Sequence, residues 1–75
     1  MPSLPIVSGR QTVRALERLG FVVVRQRGSH IVLRKQTESG NVGCVVPAHR
    51  ELAPGSLRGI LRQAGVSVEE FIANL

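Results

Sequence analysis

Two short polar turns constrain the fold of this chain more than any other feature of its sequence. They are residues 26–29 (Gln-Arg-Gly-Ser) and residues 37–41 (Thr-Glu-Ser-Gly-Asn), and they separate the β-rich segments 21–25, 30–35 and 42–46. Valine, isoleucine and leucine dominate these segments, which favours strands. A parallel connection between strands needs about a dozen residues or more, so turns this short predict a three-stranded antiparallel meander.

The second predicted strand shows which of its side chains share a face. Successive side chains of a strand point to opposite faces, so along residues 30–35 Ile31 and Leu33 point to one face of the sheet. The opposite face receives His30, Val32 and Arg34. We expect helices to cover the first face and to leave the second open.

An amphipathic helix is predicted before the strands. Ser8 is a favourable N-cap, and Gln11 three residues later completes a capping box. Gly20 follows the helix and can take the positive φ that ends one. The apolar face is made by Val13, Leu16 and Leu19. A basic stripe, typical of a solvated helix surface, is made by Arg10, Arg14 and Arg18.

Two further helices are predicted after the strands. The longer one begins at Pro54, because proline is favoured at the first helical position. The shorter one has Ser67 as N-cap, Glu70 as capping-box partner, and a hydrophobic staple between Val66 and Phe71. The predicted fold class is therefore α+β with the order α-β-β-β-α, both long helices on one face of the sheet and a short C-terminal helix.

The length and the cysteine content limit what the chain can contain. A chain of 75 residues buries only about 60% of the surface of its unfolded form, so we predict one domain over residues 1–75 with a core shared by all elements. A single cysteine, Cys44, allows no intramolecular disulfide and is compatible with a reducing compartment. One cysteine and two distant histidines lack the spacing of a metal site, so no metal or cofactor is predicted.

The start of the chain does not resemble a targeting segment. Residues 1–5 (Met-Pro-Ser-Leu-Pro) lack the basic and apolar regions of a secretory signal. The longest purely apolar run, residues 21–24, is far too short to span a bilayer. We therefore expect a cytoplasmic protein without membrane association.

The charge of the chain indicates an anionic partner. Ten basic residues, nine of them arginine, stand against five glutamates and no aspartate, for a net charge of +5. A small basic domain favours nucleic acid or an acidic protein as its partner. An arginine-rich coding bias with an ordinary solvated surface produces the same count, so charge alone leaves both interpretations open.

The segment from Arg25 to His30 carries the candidate chemistry. Gly28 permits a tight turn and the close approach of a ligand backbone, His30 begins the next strand, and Arg25 and Arg27 surround it with positive charge. RNA supplies its own nucleophile, the 2′-hydroxyl, so an enzyme that cleaves it needs only proton transfer and stabilisation of charge at phosphorus. Imidazoles are suited to the first task and guanidinium groups to the second.

Both histidines also have ordinary structural interpretations. A histidine at the start of a strand, taken without context, is more often a surface residue than a catalyst. His49, in the segment 46–50 (Val-Pro-Ala-His-Arg), is predicted to be a loop residue between strand and helix. The alternative is that His49 contacts phosphate or supplies a second proton.

An ordered series of features over nearly the full length resembles the HicA toxins of bacterial toxin–antitoxin pairs. The series begins with residues 16–21 (Leu-Glu-Arg-Leu-Gly-Phe) and continues with the triplet 28–30 (Gly-Ser-His). It then includes Val46-Pro47 with His49, and ends with residues 55–66 (Gly-Ser-Leu-Arg-Gly-Ile-Leu-Arg-Gln-Ala-Gly-Val). The triplet by itself is a weak motif, whereas the ordered set at this chain length is specific.

The resemblance implies a fold like that of the double-stranded-RNA-binding domain, in agreement with the predicted element order. It also implies a metal-independent ribonuclease that cleaves mRNA, arrests translation and is held inactive by a HicB antitoxin. The family's catalytic histidine carries over to His30, whereas many relatives have a second histidine or a small polar residue where this chain has Ile31. The residues predicted to bind RNA are Arg25, Arg27, Gly28, Ser29 and Lys35, with His49 as a candidate secondary residue.

Two other classes of function remain open at this stage. A non-catalytic RNA-binding module would use the same fold and charge. A protein-interaction domain would use the open sheet face, which Val22, Val24 and Val32 are expected to populate. For the family interpretation, we expect the antitoxin to hide His30 and to place acidic side chains against Arg25, Arg27 or Lys35.

Overall fold

The computed structural model describes residues 3–75 and confirms the predicted α+β class and element order. The elements are α1 (Gly9–Arg18), β1 (Val22–Arg27), β2 (His30–Thr37), β3 (Gly40–Pro47), α2 (Pro54–Ala64) and α3 (Val68–Ala73). Met1 and Pro2 lie outside the described residues. They are the first two positions of the predicted domain and of the N-terminal segment that does not resemble a secretory signal.

The three strands form the predicted antiparallel meander in the order β1-β2-β3. The first turn is shorter than predicted, because Gln26 pairs with Ile31 and Arg27 pairs with His30. The prediction that Gln26 and Arg27 belong to the turn is therefore wrong. Only Gly28 and Ser29 lie between the two strands. Gly28 has a φ of 57°, which suits the first position of a two-residue type II′ hairpin turn.

A β-bulge in β1 reverses the orientation of its second half. Val23 opposes Leu33, and the next paired residue, Arg25, opposes Val32, so that Val24 is an extra residue between them. Directly opposed residues share a face of the sheet. Simple alternation would place Arg25 on the same face as Val23, whereas the bulge turns Arg25 to the opposite face.

One face of the sheet is covered by the helices and the other is open. Ile31 and Leu33 are 7% and 0% exposed, and their partners on β3, Val46 and Cys44, are also buried. His30 and Arg34 on the other face are exposed, which confirms the alternation predicted for β2. The core on the covered face includes the helical residues Val13, Leu16, Leu57, Ile60, Leu61, Ala64 and Phe71.

The helix ends follow the predicted capping. In α1 the backbone N–H of Gln11 donates to Ser8 Oγ over 3.0 Å, and the backbone N–H of Ser8 donates to Gln11 Oε1 over 2.8 Å. Ser67 and Glu70 form the same reciprocal pair in α3. α2 starts with Pro54 and is capped at its C-terminus by Gly65, whose φ is 69°. In the described chain, none of the helices is long and apolar enough to cross a membrane.

Candidate functional site

His30 occupies the first position of the central strand, on the open face of the sheet. Its cross-strand partners are Arg27 on β1 and Pro47 on β3. Opposed residues have Cβ atoms about 4.5–5.5 Å apart, so the side chain of His30 stands between those of an arginine and a proline. The imidazole is exposed, and the strand beneath it is paired on both sides.

Two more arginines share this face with His30. Arg25 opposes Val32, which lies on the open face. Arg34 lies two and four positions after Val32 and His30 along β2, so it is on the same face as both. Arg34 was not among the predicted site residues, although the period-two alternation of β2 already placed it on the face of His30. The strand residues 22–27, 30–37 and 40–47 contain no aspartate or glutamate, so the strands carry positive charge only.

The turn before His30 is held by a hydrogen bond on each side. Gln26 Nε2 donates to the carbonyl oxygen of Gly28 over 3.1 Å. The backbone N–H of Ala48 donates to the carbonyl oxygen of Ser29 over 2.6 Å. A Cβ at Gly28 would meet no atom within 4 Å. The turn is therefore anchored and open above Gly28, as a site that admits a ligand backbone requires.

The loop after β3 is docked onto the start of α1. The backbone N–H of Gly9 donates to the carbonyl oxygen of His49 over 2.9 Å, and a Cβ at Gly9 would overlap the carbonyl oxygen of Pro47. Sequence reasoning did not single out Gly9, because nothing local to it signals this close approach. The main chain of His49 therefore has a structural role, while its exposed side chain stays a candidate for the site.

Lys35 is the one predicted RNA-binding residue that the fold does not bring to His30. It opposes Val42 on the covered face, and its Nζ lies 5.8 Å from the ring centroid of Phe21. It is also five positions along β2 from His30, or about 17 Å at the usual rise of a strand. Arg25, Arg27, Gly28 and Ser29, in contrast, all lie beside His30 at one end of the sheet.

Ile31 and Cys44 belong to the core on the covered face. Ile31, which follows His30 in the chain, is buried and opposes Val46. Burial raises the pKa of the Cys44 thiol to about 11, so this thiol is protonated at neutral pH and is not a nucleophile. Residues 3–75 bring together no group of three or more His, Cys, Asp or Glu side chains that could hold a metal ion.

The arrangement combines a proton-transfer group with anion-binding groups on a rigid surface. An exposed imidazole can exchange a proton with a bound group, and guanidinium groups form strong, often paired hydrogen bonds with phosphate oxygens. A phosphodiester lying across the open face would meet both. The same surface would also suit a protein that binds RNA without cutting it, and a cleavage assay distinguishes the two functions.

Comparison with known proteins places this chain in a family. The family model described as "HicA toxin of bacterial toxin-antitoxin" matches residues 9–66. The matched range starts at the first residue of α1, includes His30 and His49, and leaves α3 outside. A search of curated proteins returned no match.

Proposed function

Because this chain belongs to the HicA toxin family of bacterial toxin–antitoxin systems, we propose that it is a metal-independent endoribonuclease that cleaves mRNA and arrests translation. His30 is the catalytic residue in this proposal. The observation that carries it is the placement of an exposed histidine on the central strand, next to Arg27 and on the same face as Arg25. An mRNA substrate implies that the protein acts in the cytoplasm.

In the proposed reaction, His30 acts as a general base on the 2′-hydroxyl of the RNA. The 2′-oxygen gives its proton to the imidazole and attacks the adjacent phosphorus, and the bond from phosphorus to the 5′-oxygen breaks. Arg25 and Arg27 stabilise the charge that builds up on the non-bridging oxygens. The departing 5′-oxygen takes up a proton, for which His49 is a candidate donor, and the products are a 2′,3′-cyclic phosphate and a 5′-hydroxyl.

A cleavage assay on a defined single-stranded RNA in EDTA tests this function. We expect cleavage to survive chelation and to leave 2′,3′-cyclic phosphate ends, because neither the nucleophile nor the proton transfers require a metal ion. Loss of cleavage in EDTA with recovery in Mg²⁺ would show that the mechanism is wrong. Binding of RNA without any cleavage would instead favour the alternative function, a non-catalytic RNA-binding module.

The affinity for RNA is expected to fall steeply with salt. Both phenylalanines, Phe21 and Phe71, are buried in the core, so no phenyl ring is free to stack on bases and binding depends mainly on charge. If Arg25, Arg27 and Arg34 each neutralise one phosphate, the slope of log K against log salt is about −2 for a single strand. A titration series between low and physiological salt measures this slope.

A matched pair of variants sharpens the salt experiment. Arg27→Gln should make the slope less negative by about 0.7, the contribution of one phosphate. Arg62→Gln removes an exposed arginine from α2 instead and should leave the slope unchanged. Tight, salt-insensitive binding to one RNA sequence would contradict charge-dominated recognition.

The antitoxin partner implied by the family is proposed to be a HicB-like protein that covers His30 directly. The open face has no helix of its own to protect it, and Val22 and Val24 on it are 61% and 53% exposed. A partner that covers this face would place acidic side chains against Arg25 and Arg27, rather than against Lys35 on the opposite face. These exposed valines also suit a pure protein-interaction domain, and the RNA titration separates the two readings.

We expect Arg27→Glu to weaken the antitoxin complex and Lys35→Glu to affect it much less. The reason is that a glutamate at position 27, next to His30, would repel acidic side chains of the partner. Lys35 lies on the opposite face of the sheet, which the partner does not contact in this proposal. Binding constants of both variants with the purified antitoxin check the expectation. A structure of the complex in which His30 is fully solvent-exposed would contradict direct masking.

A further inference from the structure

A cavity of about 360 Å³ lies along the β3 edge of the sheet, at the end remote from the β1–β2 turn, and residues of both faces line it. We refer to it as the β3 cavity. Its apolar lining includes Val32 and Val45, which oppose each other across β2 and β3. Beside them lies Gly43, the partner of Arg34, and a glycine inside a strand often marks a place where a ligand approaches the backbone closely.

The rim of the β3 cavity is polar and carries no acidic residue. Arg34 and Asn41 come from the sheet, and Gln63 comes from α2. Each side-chain amide offers one acceptor oxygen and two N–H donors. Two amides and an apolar lining in one cavity match an unpaired nucleobase, whose ring needs an apolar surface and whose edge needs both donors and acceptors.

The cavity is within reach of an RNA strand that is cut at His30. Arg34 lies four positions along β2 from His30, or about 13 Å at the usual rise of a strand, and both residues are on the open face. An extended single strand crosses such a distance within a few nucleotides. The guanidinium of Arg34 would contact a phosphate between the two places.

We propose that the β3 cavity binds one unpaired nucleobase of the substrate, at a fixed number of nucleotides from the cleaved bond, and that Asn41 and Gln63 read its edge. This inference rests on the proposed function, since it requires an RNA strand on the open face. Charge-dominated binding gives little sequence preference along most of that strand. The cavity adds a preference at a single position.

Asn41 and Gln63 are better test positions than Gly43. A Cβ at Gly43 would lie 3.2 Å from the carbonyl oxygen of Leu33, so a substitution there would disturb the packing between β2 and β3. The side chains of Asn41 and Gln63 are exposed, so their truncation removes no core contact. Gln36→Ala is the matched control, because Gln36 carries the same amide, opposes Asn41 on the same face and does not line the cavity.

The experiment exposes a pool of randomised single-stranded RNA to the full chain and sequences the cut ends. A parallel arm sequences the RNA retained by the His30→Ala protein, which reports base preference independently of cleavage. The wild-type chain should favour one base about tenfold at one position, the usual effect of a good hydrogen-bonded base contact. In the Asn41→Ala/Gln63→Ala double variant this preference should fall to about twofold or less, and Gln36→Ala should retain it.

The outcomes separate this inference from the proposed function. Cleavage without any preferred base overturns the cavity assignment. So does a preference that the double variant retains, or one that the Gln36→Ala control also loses. In each of these cases the proposed ribonuclease activity is still supported. A positional preference in the retained RNA that depends on Asn41 and Gln63, in a chain that does not cut, supports the cavity and overturns the enzyme. A chain that neither cuts nor selects RNA overturns both.

Discussion

Replacing His30 with alanine is expected to abolish RNA cleavage while leaving the fold and most of the RNA affinity intact. General acid–base transfer typically contributes about 10²–10⁴-fold to a rate, and His30 is the histidine on the face that carries Arg25 and Arg27. The loss should therefore appear in the rate of cleavage at saturating RNA. Single-turnover cleavage of a defined RNA measures it.

The fold should survive this substitution because His30 contributes nothing to the core. Its side chain is exposed on the open face, whereas the neighbouring Ile31 points inward. Exposed substitutions of this kind usually change the free energy of unfolding by no more than about 0.5 kcal/mol. RNA affinity should persist because the arginines remain, so circular dichroism and a binding titration should match those of the wild-type chain.

His49→Ala is the matched control for His30→Ala. The contact that fixes the loop is made by the main-chain carbonyl of His49, so truncation of the side chain leaves it in place and should reduce cleavage less. If His30→Ala cuts RNA at nearly the wild-type rate and His49→Ala is inactive, the site moves to the loop after β3. If His30→Ala is unfolded, His30 is a structural residue and its assignment to catalysis is wrong.

The parts of the fold that could be predicted are those determined by local sequence. Capping boxes at Ser8 and Ser67, the proline at the start of α2 and the glycines that end helices depend on residues a few positions apart. The antiparallel order of the strands followed from turn length alone. These features were correct because no distant contact competes with them.

The site was only partly predictable, because a bulge decides which face Arg25 and Arg27 occupy. Strict alternation along Val22, Val23 and Val24 would place both arginines on the covered face, away from His30. The bulge at Val24 turns them toward it. A run of three valines contains no signal for a bulge. The short sequence distance predicted that the arginines lie close to His30, but their position on its face depends on the bulge, which the sequence does not indicate.

Lys35 and Arg34 show the opposite case, in which the sequence pattern itself indicates the correct face. Alternation along β2 places Arg34 on the face of His30 and Lys35 on the covered face, where its ammonium lies over the ring of Phe21. Charge alone does not distinguish Lys35 from Arg34, whereas alternation does. In a strand, the parity of a position is more informative about a shared site than its charge.

Replacing Phe71 with alanine is expected to have the largest effect on stability. Phe71 is 0% exposed although its helix, α3, is only six residues long and lies beyond the matched family range of 9–66. Removal of a fully buried phenylalanine costs about 3–5 kcal/mol through lost burial and the cavity left behind. At about 0.05–0.15 kcal/mol per residue, a chain of 75 residues has only about 4–11 kcal/mol in total.

The expected loss is large because Phe71 is the fully buried side chain of α3, whereas Val68 is only partly buried against the core. Arg18 Nη1 donates to the carbonyl oxygen of Asn74 over 2.9 Å at the surface, and exposed bonds of this kind contribute little compared with the burial of an aromatic ring. Ile72→Ala is the matched control, since Ile72 is next in sequence but 37% exposed. Its truncation should cost clearly less than that of Phe71.

Urea denaturation followed by circular dichroism measures both variants. We expect Phe71→Ala to lower the midpoint strongly without a change in the slope, since the whole chain still unfolds as one unit. A cost below about 1 kcal/mol, or equal costs for Phe71→Ala and Ile72→Ala, would mean that α3 is not part of the cooperative core. In that case the sheet with α1 and α2, which includes His30 and the arginines around it, would be stable without the terminal helix.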